Sequence, residues 1–453
     1  MSSSVDSTAP AVLPPVGWRF PAVEERRLDN GMRILVYQCP GQYVVAASLL
    51  FDVPLNAETC DREGVAGLTG RCLTQGAAGR TAEEFADALA LCGADLDGSA
   101  FPDGFAVRLS VPVTHLRSGL DLLADAVTEP TFAAADFERE KRLRLQDIDQ
   151  AHAYPQHVAA EQLNEMLFGT ARAARPVGGS TGTVEEITRA DLVSYADTHL
   201  QPANATLVIA GDFLDVDVHD VAAAGLGGWE HVGGRVVEGE QAQVHDGPQL
   251  ALVDWPDAPQ ATVRVAGEGV TRGDPRWPAL FVANYAVGGN FSSRVNTVLR
   301  EQKGVTYGAS STLDTGRRAG IVSVSTAVRS DATAQSLADI VAIVAAARGA
   351  ITDDEVATAI RAATESAALG FERSDAVVGR VEMLLSQGLP LGHVDANLER
   401  IRQVTTEQAN AAYADVVRPG DLTVVVVGDA ASLRQPLAGW GYAELQEIDP
   451  PGQ

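Results

Sequence analysis

Long apolar runs are missing from this chain. No stretch of about 18 consecutive apolar residues occurs, so no membrane-spanning helix is expected. Cysteine is scarce too. Cys39, Cys60, Cys72 and Cys92 form no Cys-x-x-Cys pair and lack the density of a disulfide scaffold, which points to free thiols in a cytoplasmic protein. Basic charge is in short supply, with 34 Lys and Arg against 60 Asp and Glu and a net charge of -26. A nucleic-acid partner needs a basic face and is excluded on that ground. The acidity would steer cationic partners or serve solubility alone, and solubility is the plainer reading. No nucleophile elbow, phosphate-binding loop or kinase signature occurs. The eight histidines contain no i, i+4 pair. His152 and His157, beside Tyr154-Pro155, read as loop residues with no ligand role.

What the chain does have is length and apolar content. At 453 residues and 46% hydrophobic it can bury large cores, and its length implies two to four domains. Residues Met1–Gly17 are rich in Ser, Ala and Pro, with no basic start and no apolar stretch. They read as a disordered lead-in and not as a signal peptide.

An internal repeat sets the domain plan. Ile187-Thr188 leads through Tyr195-Ala196-Asp197 to a strand-like run closed by Gly211-Asp212. Val404-Thr405 leads through Tyr413-Ala414-Asp415 to a second such run closed by Gly428-Asp429, at matching overall spacing. Each copy reads as a capped helix, a turn containing Pro202 or Pro419, and a buried strand. A period this long excludes a solenoid and implies tandem duplication of a domain. The halves are placed at residues 18–224 and 249–442, with a Gly-rich linker at 225–248 and a tail at 443–453. Apolar, β-branched segments at 33–38, 44–53, 106–113, 261–267 and 320–328 predict strands. Thr81 with Glu84 and Thr352 with Glu355 predict capped helix starts, and Gly93 a helix end. Strands and helices come in blocks, so the fold class is α+β.

One stretch points further. Gly288-Gly289-Asn290-Phe291 leads through Arg294 to Leu299-Arg300 and on to Gly304-Val305-Thr306-Tyr307-Gly308. An arginine and a tyrosine seven apart carry no meaning alone, but this setting resembles the second-half signature of the M16 metallopeptidases, the family of insulysin, pitrilysin and the mitochondrial processing peptidase. The phrase Leu28-Asp29-Asn30-Gly31-Met32-Arg33 is similar to the opening of the family's first half. The resemblance implies two tandem M16-type (LuxS/MPP-like) α+β domains forming half of a clamshell. It assigns Arg300 and Tyr307 to the substrate carbonyl, where oxyanion charge develops. Gly288, Gly289, Asn290 and Phe291 are the candidate substrate-binding residues beside them.

The same resemblance fails at the metal. Where the family carries His-x-x-Glu-His for zinc and a general base, this chain has Gly67, Gly70 and Arg71. Asp147 stands at the position of the third ligand, a glutamate in the family. Glycine has no donor atom, so no zinc is expected here. Gly64, Gly67 and Gly70 lack the pattern of a phosphate cradle and suit a close-packed helix face instead. A further departure is Asp97-Gly98, where the resemblance places the start of the family's substrate-pairing edge strand, usually Asn-Ala. The expectation is a non-catalytic subunit of a heterodimeric zinc peptidase acting on unfolded peptides, its partner an M16 chain carrying His-x-x-Glu-His and the zinc. The alternative is a catalytically inert M16-like binding or scaffold protein.

Overall fold

The computed structural model describes residues 17–230 and 237–450. The predicted lead-in, apart from Gly17, and part of the predicted linker lie outside the described residues. Two six-stranded sheets form the framework. The first contains β1 (Val23–Arg27), β2 (Arg33–Gln38), β3 (Val44–Phe51), β4 (Asp95–Phe101), β5 (Gly104–Pro112) and β6 (Ala205–Gly211), in the order β1-β2-β6-β3-β5-β4. The second contains β7 (Gln249–Asp254), β8 (Gln260–Glu268), β9 (Thr306–Thr315), β10 (Gly320–Arg329), β11 (Thr423–Gly428) and β12 (Leu445–Ile448), in the order β12-β7-β11-β8-β10-β9.

The repeat is visible in this plan. Helix Arg189–His199 starts at a capping box of Thr188 and Asp191, and helix Thr406–Val416 at one of Thr405 and Gln408. Each leads into a central strand buried on both faces, which is why Thr206–Gly211 and Thr423–Gly428 read as unbroken apolar runs and not as alternation. Strand β6 lies parallel to β2 and antiparallel to β3, and β11 stands in the same relation to β7 and β8. The predicted caps at Thr81 and Thr352 form, and Gly93 ends its helix at φ 61.

Two boundaries differ from the sequence expectation. Residues 443–453 were expected to be a tail, yet β12 pairs in parallel with β7 and closes that sheet's edge. Only four residues long, with Gln446 and Glu447 at its centre, it carries no strand periodicity. Helix Val218–Leu226 also runs past Gly225 into the expected linker.

Both sheets are covered twice. One face of the first sheet packs on helices of its own half, through Ile34, Val45, Leu49 and Phe105. Its other face, with Leu35, Tyr37, Ala46 and Val208, is covered by Val377, Val378, Val381 and Leu384 of helix Ser374–Ser386 from the second half. The exchange is mutual. Val158, Leu163 and Leu167 of helix Pro155–Phe168 cover Ala251, Val253, Val425 and Val427 of the second sheet. Glu382 fixes the first contact, accepting hydrogen bonds from Ser48 Oγ and Arg108 Nε, each at 2.9 Å.

Candidate functional site

Helix Val65–Leu73 carries the positions that would hold zinc. Its entry is built by a buried carboxylate. Glu58 Oε1 accepts from the backbone N–H of Gly64 at 3.1 Å and of Ala66 at 2.9 Å, supplying the anion that a helix N-terminus favours. Arg172 Nη2 donates to Glu58 Oε2 at 2.9 Å, and Glu63 pairs with Arg175 at 2.7 Å. Gly64 sits at φ 99, a left-handed conformation that favours glycine.

The helix then runs against edge strand β4 at backbone distance. A Cβ on Gly70 would lie 2.5 Å from Gly98 O, and a Cβ on Gly98 would lie 2.5 Å from Gly70 O. At Gly67 an added Cβ would meet only Gly178 Cα, at 3.7 Å. The next position, Arg71, reaches helix Ala134–His152, where its Nη2 donates to Asp147 Oδ2 at 2.5 Å. The structure thus brings Arg71 and Asp147 together, but as an ion pair. The adjacent Cys72 is buried, and burial first, then Glu140 and Asp136, push its thiol up to about 12, so it offers no thiolate. Two glycines without donors and a carboxylate already paired with a guanidinium do not fit zinc.

The second half places its candidates around a cleft of about 540 Å³. Gly288, Gly289, Asn290 and Phe291 line it, with Asn296, Gly308, Ala309 and Ser310. Helix Trp277–Val287 ends here because β9 crosses it closely: a Cβ on Gly288 would lie 2.7 Å from Ser311 N. Tyr307 adjoins the cleft wall at Gly308, on the exposed edge strand β9, and is itself 90% exposed. Arg300 sits on a single π-helical turn, Thr297–Gln302, a geometry that recurs at functional sites. Its Nη1 donates to Glu301 Oε1 at 2.6 Å, and its Cζ lies 3.9 Å from the centre of the Phe291 ring. Neither Arg300 nor Tyr307 lines the cleft itself.

Two residues that sequence reading missed hold this region in register. Buried Asn296 accepts from Ala309 N at 2.9 Å and donates to Ala309 O at 2.7 Å and to Asn290 O at 3.1 Å. It ties the loop and the π-turn segment to β9. Asn284 donates to Ser311 O at 3.1 Å and accepts from Ser311 Oγ at 2.6 Å. Their only signal in the sequence is an amide inside an apolar segment. The loop expected at His152 and His157 is also corrected. His152 ends one helix, and Pro155 starts the next at its first position, where proline is well tolerated, so His157 is helical.

Comparisons with known proteins follow the two halves. A family model described as "Insulinase (Peptidase family M16)" matches residues 33–181, and one described as "Peptidase M16 inactive domain" matches residues 186–363. An uncharacterized zinc protease of Mycobacterium tuberculosis is 29% identical over 427 residues, covering 90% of this chain and 94% of that protein. The crystal structure of a peptidase M16 inactive domain from Pseudomonas fluorescens aligns with TM-score 0.82 at 23% identity, over 90% of this chain and 98% of that one. A protease from Helicobacter pylori aligns with TM-score 0.83 at 15% identity, over 90% of this chain and all of that one (100%), a likeness of fold alone. Among the described residues, no helix is long and apolar enough to cross a membrane.

Proposed function

Because the chain belongs to the M16 peptidase family, we propose that it is the non-catalytic subunit of a two-chain zinc peptidase. In this reading an M16 partner brings His-x-x-Glu-His and the metal, and this chain brings Arg300 and Tyr307. The substrates are unfolded peptides, and the setting is cytoplasmic, in keeping with four free cysteines.

The observation that carries the reading is the exposure of Tyr307. A phenol 90% exposed, on an edge strand beside a cleft, makes no hydrogen bond among the described residues. An edge strand leaves backbone donors and acceptors for an extended peptide. The Tyr307 hydroxyl is then free to donate to a substrate carbonyl oxygen, and Arg300 supplies fixed positive charge nearby. Both contributions strengthen as that oxygen gains charge. The chemistry of water activation is left to the partner, since Gly67, Gly70, Arg71 and Asp147 offer nothing for it.

One observation favours the rival reading of an inert binding or scaffold protein. Arg300 is already engaged locally, with Glu301 and the Phe291 ring. Tyr307→Phe in the assembled complex separates the two. Loss of one transition-state donor is expected to lower peptidase activity by about 10²–10³. An unchanged rate in an intact complex refutes the role of Tyr307. Failure of this chain, purified from its host, to bring an M16 chain with His-x-x-Glu-His refutes the subunit reading itself.

A further inference from the structure

Helix Ala134–His152 and helix Pro155–Phe168 meet at a tight turn, and three side chains converge there. His152 Nε2 lies 2.9 Å from Glu161 Oε2, and His157 Nε2 lies 2.9 Å from Glu161 Oε1. One carboxylate therefore engages both imidazoles, one on each oxygen. The three donor atoms all lie within 4.8 Å of one another. His157 and Glu161 stand four apart on one helix face, and His152 reaches across from the other helix. The side chains are 24%, 43% and 25% exposed for His152, His157 and Glu161, so the group is open to ions from solvent yet held by its surroundings.

We propose that His152, His157 and Glu161 form a site for a divalent transition metal of the zinc class. Two imidazoles and one carboxylate suit such an ion and do not suit magnesium or calcium, which want an all-oxygen shell. Zinc takes nitrogen and oxygen donors at about 2.0–2.2 Å, so tetrahedral neighbours lie about 3.4 Å apart. The two His–Glu contacts of 2.9 Å are about 0.5 Å short of that spacing, and all three donor atoms already lie within 4.8 Å of one another, so side-chain rotation is what brings them onto one ion. The C-terminus of helix Ala134–His152 adds a favourable partial negative charge. Three protein donors leave a fourth position for water or a further ligand.

This place is distinct from the family's metal position. Asp147 lies about one and a half turns earlier on the same helix and is occupied by Arg71. The bound ion would clip the two helices across the Tyr154-Pro155 turn. Gln156, next to His157, is one of the residues lining the cleft that Gly308 also lines, so the clip bears on that cleft.

The test uses the untagged full-length chain, stripped with a chelator and titrated with Co²⁺, read by its visible d–d bands, with Zn²⁺ stoichiometry measured by mass spectrometry. One equivalent of tightly bound metal is expected. Loss of even an outer-shell partner costs about 10–100-fold in metal affinity, so His157→Ala and Glu161→Gln should each weaken binding at least tenfold. Asp147→Asn and His115→Ala should leave it unchanged. Absence of stoichiometric binding by the unaltered chain overturns the proposal, as does full binding by folded His157→Ala. Loss of binding in Asp147→Asn overturns it too, because it moves the ion to the family position.

Discussion

Gly67 and Gly70 sit one turn apart on the same helix, and alanine should act on them with opposite signs. Replacing glycine by alanine inside a helix gains about 1 kcal/mol from backbone propensity alone. At Gly67 little opposes that gain, because the added Cβ meets Gly178 Cα at 3.7 Å, an ordinary van der Waals contact. At Gly70 the added Cβ lands 2.5 Å from Gly98 O and 2.7 Å from Gly98 C. These are backbone atoms of β4, which cannot rotate away as a side-chain tip would. Overpacking of this kind costs about 1–3 kcal/mol and more where backbone must move, enough to cancel the propensity gain and exceed it. We expect Gly67→Ala to raise the urea midpoint of unfolding by the equivalent of about 0.5–1 kcal/mol, and Gly70→Ala to lower it. Equal shifts of the same sign would refute the claim that helix and strand touch at backbone distance. A corollary concerns activity. Rebuilding His-x-x-Glu-His by Gly67→His, Gly70→Glu and Arg71→His should displace β4 and not create a zinc peptidase, because any residue with a Cβ at position 70 meets the same carbonyl.

Two further outcomes are expected. Arg172→Ala strands Glu58, whose side chain is fully buried (0% exposed), without its cation, and should destabilise the first half by about 3–5 kcal/mol in a denaturant titration. His393 gives a pH signature. Burial first, then Arg400, Arg272 and Arg380, push its imidazole from 6.5 down to about 4. The folded chain keeps it neutral where the unfolded chain takes up a proton, so its contribution is intact above pH 6.5 and lost progressively toward pH 4. Unfolding midpoints measured across that window should vary less for His393→Gln than for the unaltered chain.

Much of the fold could be read from the chain because its signals are local. Capping at Thr81, Thr188, Thr352 and Thr405 needs only residues three apart, and the buried strands at 206–211 and 423–428 announce themselves by unbroken apolar runs. What escaped depends on distant partners. The glycines at 67 and 70 were legible as a packed face, but Gly98, which makes only one of them indispensable, is known only from the packing. The clamp of Asn296 on Ala309 spans a turn and a strand start, with no periodic signature. The convergence of His152 and His157 was hidden by Pro155, which looks like a break and acts as a helix start. Arg71 and Asp147 could be aligned with ligand positions, while their pairing is a three-dimensional fact.

The mutual covering of the sheets has a consequence for how the chain is made. A ribosome finishes β6 at Gly211 well before it reaches Ser374, where the helix that shields Leu35, Tyr37 and Val208 begins. At typical elongation rates of about 5–20 residues per second, that interval lasts roughly 10–30 s. For all of it, the nascent first half carries an apolar sheet face with only Trp18 and Phe20 of its own, and no helix, to lay over it. Such a face invites aggregation or a holding chaperone. A stop codon placed after the first half should therefore yield an insoluble fragment and not a small stable domain, and the duplicated halves mature together or not at all.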